Sequence, residues 1–363
     1  MANPLVTVLV DTYNHERFIE EAIVSVLEQD FPRSDMEILV VDDGSTDRTP
    51  EILRKFEPHV RVLRKANGGQ ASAFNAGIPQ ARGEIVAFLD GDDWWAKNKL
   101  SRVIDTMTRN RSVAIVGHGI VEMEAGAGCR FVRLNADIRF RCDSPEGAKL
   151  FRTRKALLGT SRLVIRRTLL ERILPIPESL IIEADEYLFT TASVLGDVVI
   201  LSDVLGHYRL HRNNLFQFAN YDLSKIQRKL SVLVALDHSL SESLEQLSVR
   251  ADIADLILDA IRIESEQIRL AVKHGPPWQT IRTEWKLLEI YHGDASIYQR
   301  AYTALRLLPA ALVSSKMYYR CRRRVAENDL YRALRAKILP FPAMGYSQPG
   351  SAENRVVTRS FAR

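Results

Sequence analysis

Cysteine is scarce: three in 363 residues, Cys129, Cys142 and Cys321, far apart and with no CxxC pair. An odd, scattered set argues against a disulfide framework or a zinc knuckle and points to a reducing, cytoplasmic compartment. Long apolar runs are missing too. The purest, Leu307–Val313, falls well short of the ~18–20 residues that cross a bilayer. No basic region precedes the short apolar stretch Leu5–Val10, so no signal peptide is expected. Neither sign of charge dominates. Lys and Arg number 50 against 45 Asp and Glu, a net charge of +5 that is too small to imply nucleic acid. With 46% hydrophobic and 26% charged residues, a disordered or collagen-like chain is excluded. No internal repeat is present. At roughly 100–200 residues per domain, the length suits two domains, or one with an extension.

What is present is an alternation of apolar runs and helical patterns. Leu5–Val10, Glu37–Val41, Val60–Leu63, Ile85–Leu89 and Val113–Gly117 read as strands. Between them Glu16–Glu28, a segment from Thr49 to Phe56, Ala71–Ala81 and Lys97–Arg109 read as helices. Thr49 and Pro50 supply an N-cap and a first helical position for the second. Trp94 and Trp95, at the start of the fourth, read as core anchors. This order predicts an α/β fold, a mostly parallel sheet covered by helices on both faces. Residues 119–160, with Gly126 and Gly128, suggest loops or a hairpin. Later strands are expected at Leu163–Ile165, Val198–Leu201 and Leu205–Leu210, and helices at Thr168–Leu174 and Asp185–Leu195. From Leu223 the pattern is nearly all helix, with Ile226, Leu230, Leu233, Leu240, Leu244 and Leu247 at helical spacing. The expected division is 1–220 for the α/β domain, 221–340 for a helical C-terminal region and 341–363 for a flexible tail. The helical region is expected to form a small bundle, with a coiled-coil homo-oligomer as the alternative.

The acids sit at strand ends. The first strand ends in Asp11-Thr12-Tyr13-Asn14, the second in Asp42-Asp43-Gly44-Ser45, and the fourth in Asp90-Gly91-Asp92-Asp93; Asn67-Gly68-Gly69-Gln70 follows the third. The carboxyl ends of parallel strands form the crevice where such sheets bind ligands. Any one of these segments alone could be a turn. Gathered on one edge they concentrate negative charge, which is costly unless a cation sits among them. Asp90 and Asp92 offer hard oxygen ligands of the kind Mn2+ or Mg2+ takes. Neither a Walker A loop nor a GxGxxG after a strand is present, so a nucleoside diphosphate here would be held through metal and side chains.

Four runs in this order carry a resemblance: Val6 to Asn14 (VTVLVDTYN), Ile38 to Asp47 (ILVVDDGSTD), Asn67 to Gly77 (NGGQASAFNAG) and Gly83 to Asp93 (GEIVAFLDGDD). Together they resemble the family 2 glycosyltransferases of the GT-A fold, strongly over residues 5–115 and more weakly to about 215. The resemblance implies a metal-dependent, inverting enzyme. Such an enzyme moves a sugar from a nucleotide-diphosphate donor to a hydroxyl of a glycan or lipid-linked acceptor, in cell-surface polysaccharide synthesis. It implies that Asp42 contacts the base or ribose, that Asp90 lies near the ribose, and that Asp92 is the metal ligand for Mn2+ or Mg2+. Asp93 would orient water on the metal. Thr12, Tyr13 and Asn14 would line the base pocket, with Asn67, Gly68, Gln70 and Asn75 beside the nucleotide. Asp11 departs from the proline of many members, which leaves the donor base open.

Inverting transfer needs a carboxylate to take the acceptor's proton. The matching stretch is Ile181 to Gly196, where Asp185 aligns with the usual base, Ala184 replaces the usual preceding Glu, and Glu183 and Glu186 are fallbacks. A plain helix cap is the other reading of Asp185. Gly159-Thr160-Ser161 resembles the small polar stretch that faces the acceptor. His207 to Asn214 matches the family's Tyr-Arg-x-His segment, which makes Arg209 a donor-binding candidate. His211 is either a metal ligand or a structural hydrogen-bond partner.

Residues 318–337 carry seven basic residues against two acidic, and Leu305–Val313 lies just before. Contact with an anionic membrane through 305–337, at the inner face, is one reading; a solvated helix or a subunit contact is the other. No nucleic-acid partner is expected. A nucleotidyltransferase lacks its basic phosphate loop here, and Ala184 keeps open a degenerate nucleotide-sugar-binding or assembly subunit.

Overall fold

A computed structural model describes residues 3–124, 128–211, 223–272, 275–292 and 297–326. Gly126, Asn213, Asn214, the basic segment from Glu327 onward and the tail 341–363 lie outside the described residues. Among those described, the chain separates into two units, 3–141 with 156–211 and 142–155 with 223–326.

In the first unit, β1 (Val6–Thr12), β2 (Met36–Asp42), β3 (Arg61–Arg64) and β4 (Ile85–Asp90) alternate with α1 (Ile19–Leu27), α2 (Thr49–Arg54) and α3 (Gln70–Gly77). These four strands are parallel, in the order β3-β2-β1-β4. β1, β2 and β4 are buried on both faces, as their near-continuous apolar runs require, while β3 at the edge is half-buried. Val6, Val8, Val10, Ile38, Val40, Ile85 and Leu89 join one core with Ile19, Ile23 and Val26 of α1. On the other face Phe88 meets Phe74 of α3 edge to face, ring centroids 5.2 Å apart.

Beyond β4 the sheet is mixed. It adds β5 (Trp94–Trp95), β6 (Val113–Glu124), β7 (Gly128–Val132), β8 (Ile138–Phe140), β9 (Val164–Arg166) and β10 (Asp197–Leu210). β9 runs antiparallel to both β4 and β6, and β6 pairs in parallel with β10. Helices α4 (Lys99–Arg109), α6 (Arg167–Ile173) and α7 (Ala184–Ser193) complete the unit; α5 (Pro145–Arg154) belongs to the second.

Four local expectations change. Trp94 and Trp95 do not open a helix. They form β5 against Gly206 and His207, with the Trp95 indole N–H on the Ser161 carbonyl at 3.0 Å. The strands expected at 198–201 and 205–210 are one, since register shifts let β10 pass Ser202 and Asp203 while staying on β6. β6 continues past Gly117 to Glu124 because β7 folds back on its end as a hairpin. Asp47, not Thr49, closes the start of α2, its Oδ1 accepting the Thr49 N–H at 2.9 Å.

The second unit contains α5, α8 (Leu223–Gln246), α9 (Ala251–Val272), α10 (Pro277–His292), α11 (Ile297–Leu312) and α12 (Ser315–Ala326). Leu233, Leu236, Leu240 and Leu244 of α8 are buried, as are Ile253, Ile257 and Ile261 of α9, on which α8 packs. α5 begins on a Ser144 cap, whose hydroxyl accepts the Gly147 N–H at 3.1 Å. Its Arg152 reaches Asp259 of α9 at 3.3 Å. Among the described residues no helix is long and apolar enough to cross a membrane.

Candidate active site

Parallel strands place their carboxyl ends on one edge, so the loops after β1 to β4 converge. Register sets Thr12 beside Asp42 and Asp11 beside Asp90. Asp90, Asp92 and Asp93 each bring a carboxylate oxygen within 4.8 Å of the others'. Asp93 is buried; its Oδ2 accepts the Ser161 hydroxyl at 2.6 Å and its Oδ1 the Arg209 N–H at 3.0 Å. The same Ser161 Oγ accepts the Asp90 N–H at 3.1 Å. Asp92 is 13% exposed, with its Oδ2 2.9 Å from His211 Nε2 and 3.9 Å from His15 Nε2.

Burial, and then the charge of Asp92, pushes Asp93 up to about 8. Burial followed by Asp92 does the same to Asp11, also to about 8, and its Oδ1 has no hydrogen-bond partner. Asp90 rises well above the ordinary carboxylate value through burial, then Asp11 and Asp93. For Asp92 burial also acts upward, but the hydrogen bond from His211 and the charges of His15 and His211 outweigh it and hold the carboxyl below its usual value. Three converging hard oxygen donors, strained by mutual repulsion, are a donor set that fits Mg2+ or Mn2+.

The residues expected around a nucleotide divide into two groups. Asp42 is buried. Its Oδ1 accepts the Ser45 N–H at 2.9 Å, and its Oδ2 lies 3.3 Å from Arg64 Nε. Tyr13 is exposed at the mouth of the β1 loop. Asn14 takes a left-handed φ of 57°, which asparagine tolerates, and its Oδ1 accepts the Thr46 N–H at 2.8 Å, joining the first two loops. Thr12 Oγ1 shares a 3.2 Å hydrogen bond with His15 Nδ1. Asn67 and Gly68 donate to Asp43, an acid that the motifs do not single out. That buried carboxylate accepts from Lys65 Nζ at 2.6 Å, Asn67 Nδ2 at 3.2 Å, Gly68 N at 3.1 Å and Gly69 N at 2.7 Å. Asn75 is tied to the Ile176 backbone at both ends of its amide, each at 2.8 Å.

Asp185 lies in the first turn of α7. Its Oδ2 accepts the Thr160 N–H at 2.9 Å and the Thr160 hydroxyl at 3.0 Å, and its Oδ1 accepts the Glu186 N–H at 2.8 Å. Gln70 bridges the same corner, donating to Thr160 Oγ1 at 3.1 Å and accepting the Ala184 N–H at 3.0 Å. The Ala184 position is fully buried. Arg209 is clamped: its guanidinium lies 4.7 Å from the Phe18 ring centroid and 4.5 Å from that of Trp94. It bonds the Asp92 carbonyl at 3.0 Å and Glu21 at 2.5 Å. His211 stacks on Phe18 at 4.9 Å while it bonds Asp92.

Sequence alone ties neither Ser161, expected to face the acceptor, nor His15, Glu21 and Phe18 to these acids. His15 offered one signal, its place four residues after Asp11 in a strand-end loop.

Residues 7–174 match the family model described as Glycosyl transferase family 2. An uncharacterized glycosyltransferase, alr2836, of Nostoc sp. (strain PCC 7120) is 33% identical over 219 residues, 58% of this chain and 66% of its own length. Poly(ribitol-phosphate) beta-N-acetylglucosaminyltransferase TarS of Staphylococcus aureus strain MW2 is 27% identical over 283 residues, 75% of this chain and 47% of TarS. The chain thus spans between about half and two thirds of the lengths of these relatives. The crystal structure of S. aureus TarS 1–349 superposes with a TM-score of 0.56 at 20% identity, covering 87% of this chain and 91% of that one. Mannosyltransferase PcManGT from Pyrobaculum calidifontis, in complex with GDP-Man and Mn2+, gives 0.52 at 21% identity, covering 92% and 84%.

Proposed function

Since residues 7–174 are a glycosyl transferase family 2 domain on a GT-A fold, we propose that this protein is a metal-dependent, inverting glycosyltransferase. It transfers a sugar from a nucleoside diphosphate sugar to a hydroxyl of a glycan or lipid-linked acceptor in cell-surface polysaccharide assembly. One observation carries the reading. Two consecutive residues tie the candidate base to the candidate cation site, for Thr160 holds Asp185 while Ser161 holds Asp93 and the backbone of Asp90.

In this reading Asp42, with Thr12, Tyr13 and Asn14, receives the nucleoside, and Asp90 and Asp92 hold the cation, Asp93 backing them from below. His211 orients Asp92 rather than adding a ligand, in keeping with its 2.9 Å bond to that carboxylate. Arg209 secures the β10 strand end over the acids. Gly68, Asn67 and Asn75 shape the rim beside the nucleotide. Mn2+ or Mg2+ held by Asp90 and Asp92 would neutralise charge on the departing diphosphate. Asp185 accepts the proton of the acceptor hydroxyl as that oxygen bonds to the anomeric carbon, and the electron pair of the broken sugar–phosphate bond leaves on the diphosphate. The names of the relatives support the class: PcManGT is seen with GDP-Man and Mn2+, TarS 1–349 with UDP-GlcNAc. TarS, by its name, glycosylates a polymer. The full burial of Ala184 gives no support to a degenerate binder, because Asp185 keeps its own set of donors.

The test is turnover. Full-length protein is incubated with a panel of UDP- and GDP-sugars and Mn2+, and released nucleoside diphosphate is measured. Release from one donor by wild type, lost in Asp92→Asn and Asp185→Asn, is expected. Release from none would sink the reading.

A further inference from the structure

α11 has two apolar faces and the fold uses one. Leu307 and Ala310 are buried with Leu270 of α9 and Tyr318 and Tyr319 of α12. Ile297, Leu305, Leu308 and Leu312 stand 77%, 63%, 61% and 85% exposed, and Ala301 is exposed between them. At about 100° per residue these five positions fall within roughly 80° of the helix circumference, a stripe facing away from Leu307 and Ala310. Met317 of α12 and Trp278 and Trp285 of α10 are also exposed. Four large aliphatic side chains along one stripe in water, joined by Ala301, mark a docking face.

Charge says what docks there. Residues 297–326 contain Arg300, Arg306, Lys316, Arg320, Arg322, Arg323 and Arg324 and no Asp or Glu. A second copy of the chain would bring like charge against like charge. A nucleic acid would satisfy the arginines and leave an aliphatic stripe with nothing to bury it. An anionic bilayer answers both features at once, since its negative surface attracts a segment of net positive charge and its acyl boundary takes the stripe.

We propose that α11 and α12 form an interfacial membrane-binding surface for anionic lipid, lying on the bilayer rather than crossing it. The surface is read from the second unit alone and stands independently of the donor chemistry. It would place the chain where a lipid-linked acceptor resides.

The experiment is vesicle co-sedimentation of the full-length protein. It uses phosphatidylcholine vesicles with and without phosphatidylglycerol, at low and high salt, alongside a triple variant Leu305→Ser, Leu308→Ser, Leu312→Ser. Circular dichroism confirms folding, and a second variant, Arg320→Glu with Arg322→Glu, removes charge without touching the stripe. Wild type is expected to sediment with the anionic vesicles only, less so at high salt. Each variant is expected to lose about tenfold or more in partitioning, while sugar-nucleotide binding by the first unit is retained. No partitioning of wild type at low salt overturns the proposal. So does a triple variant that binds like wild type. A dimer in light scattering that the triple variant abolishes, without vesicle binding, would assign the face to a second copy instead. Tight binding to a short DNA duplex that survives the triple variant would assign the charge to nucleic acid.

Discussion

Ser161 has one hydroxyl for two acids. It donates to Asp93 at 2.6 Å and accepts the Asp90 N–H at 3.1 Å. Ser161→Ala leaves the buried Asp93 Oδ2 without that donor, a loss of about 1–3 kcal/mol that urea denaturation should register. Asp185→Asn is different in kind. The amide oxygen still accepts from Thr160 and only the Glu186 N–H loses its side-chain acceptor, so the fold and donor binding should persist with a small loss of stability while turnover falls by about 10²–10⁴-fold. The two readouts together separate a proton acceptor from a helix cap, because a cap would lose stability first. A pH effect follows from Asp11 and Asp93, both raised from 3.8 to about 8 by burial and then Asp92. A raised carboxyl favours the folded state fully below its unfolded value, and that contribution is lost as pH climbs through the folded value. Metal-free protein should therefore lose stability between about pH 4 and 8. A cation that replaces those protons should raise Tm more at about pH 8.5 than at about pH 5.5. Scanning fluorimetry with and without Mn2+ reads this directly, and an increment that shrinks as pH rises would contradict it.

Among the elements, α3 and α4 set the site's walls. α3 starts at Gly69, whose φ is +84° and whose added Cβ would lie 2.7 Å from the Ile181 carbonyl oxygen. Gly69→Ala should cost about 2 kcal/mol or more and weaken donor binding, since the same turn feeds Asp43 and Gln70. α4 begins with Lys99, fully buried, its Nζ 2.8 Å from the Ser161 carbonyl and 3.5 Å from the Trp95 ring centroid. Lys99→Met keeps the packing, whereas Lys99→Ala also opens a cavity and should cost about 2–5 kcal/mol. Denaturation of both variants should rank Met above Ala.

The first, second and fourth strands are legible in sequence because each is a dense apolar run with acids directly after it, and the third because Val60, Val62 and Leu63 lead into the turn at Gly68 and Gly69. β5 is not, because two tryptophans before a helical pattern look like the helix's own anchors. What makes them a strand is β10, more than a hundred residues later. What Ser161, Lys99 and His15 bond is illegible for the same reason. Their partners come from distant loops, and no local spacing records a hydrogen bond from residue 161 to residue 93. Asp185 is singled out by a resemblance alone, and its contact with Thr160 cannot be read from either segment. α5 interrupts the first unit in sequence yet packs on α9, an assignment that only tertiary structure gives.

Across the whole molecule, charge is unevenly laid. The seven basic residues of 297–326, a stretch whose sequence has no Asp or Glu, exceed the net +5 of the entire chain, while the sheet edge gathers Asp11, Asp42, Asp43, Asp90, Asp92 and Asp93. An acidic edge of that kind repels a free nucleoside diphosphate unless a divalent cation stands between them. Calorimetry of a sugar nucleotide that the protein turns over, titrated with Mn2+ and with chelator, tests this most directly. Binding that needs the ion and disappears in Asp92→Asn is expected. Equal affinity in chelator, or in that variant, would contradict it.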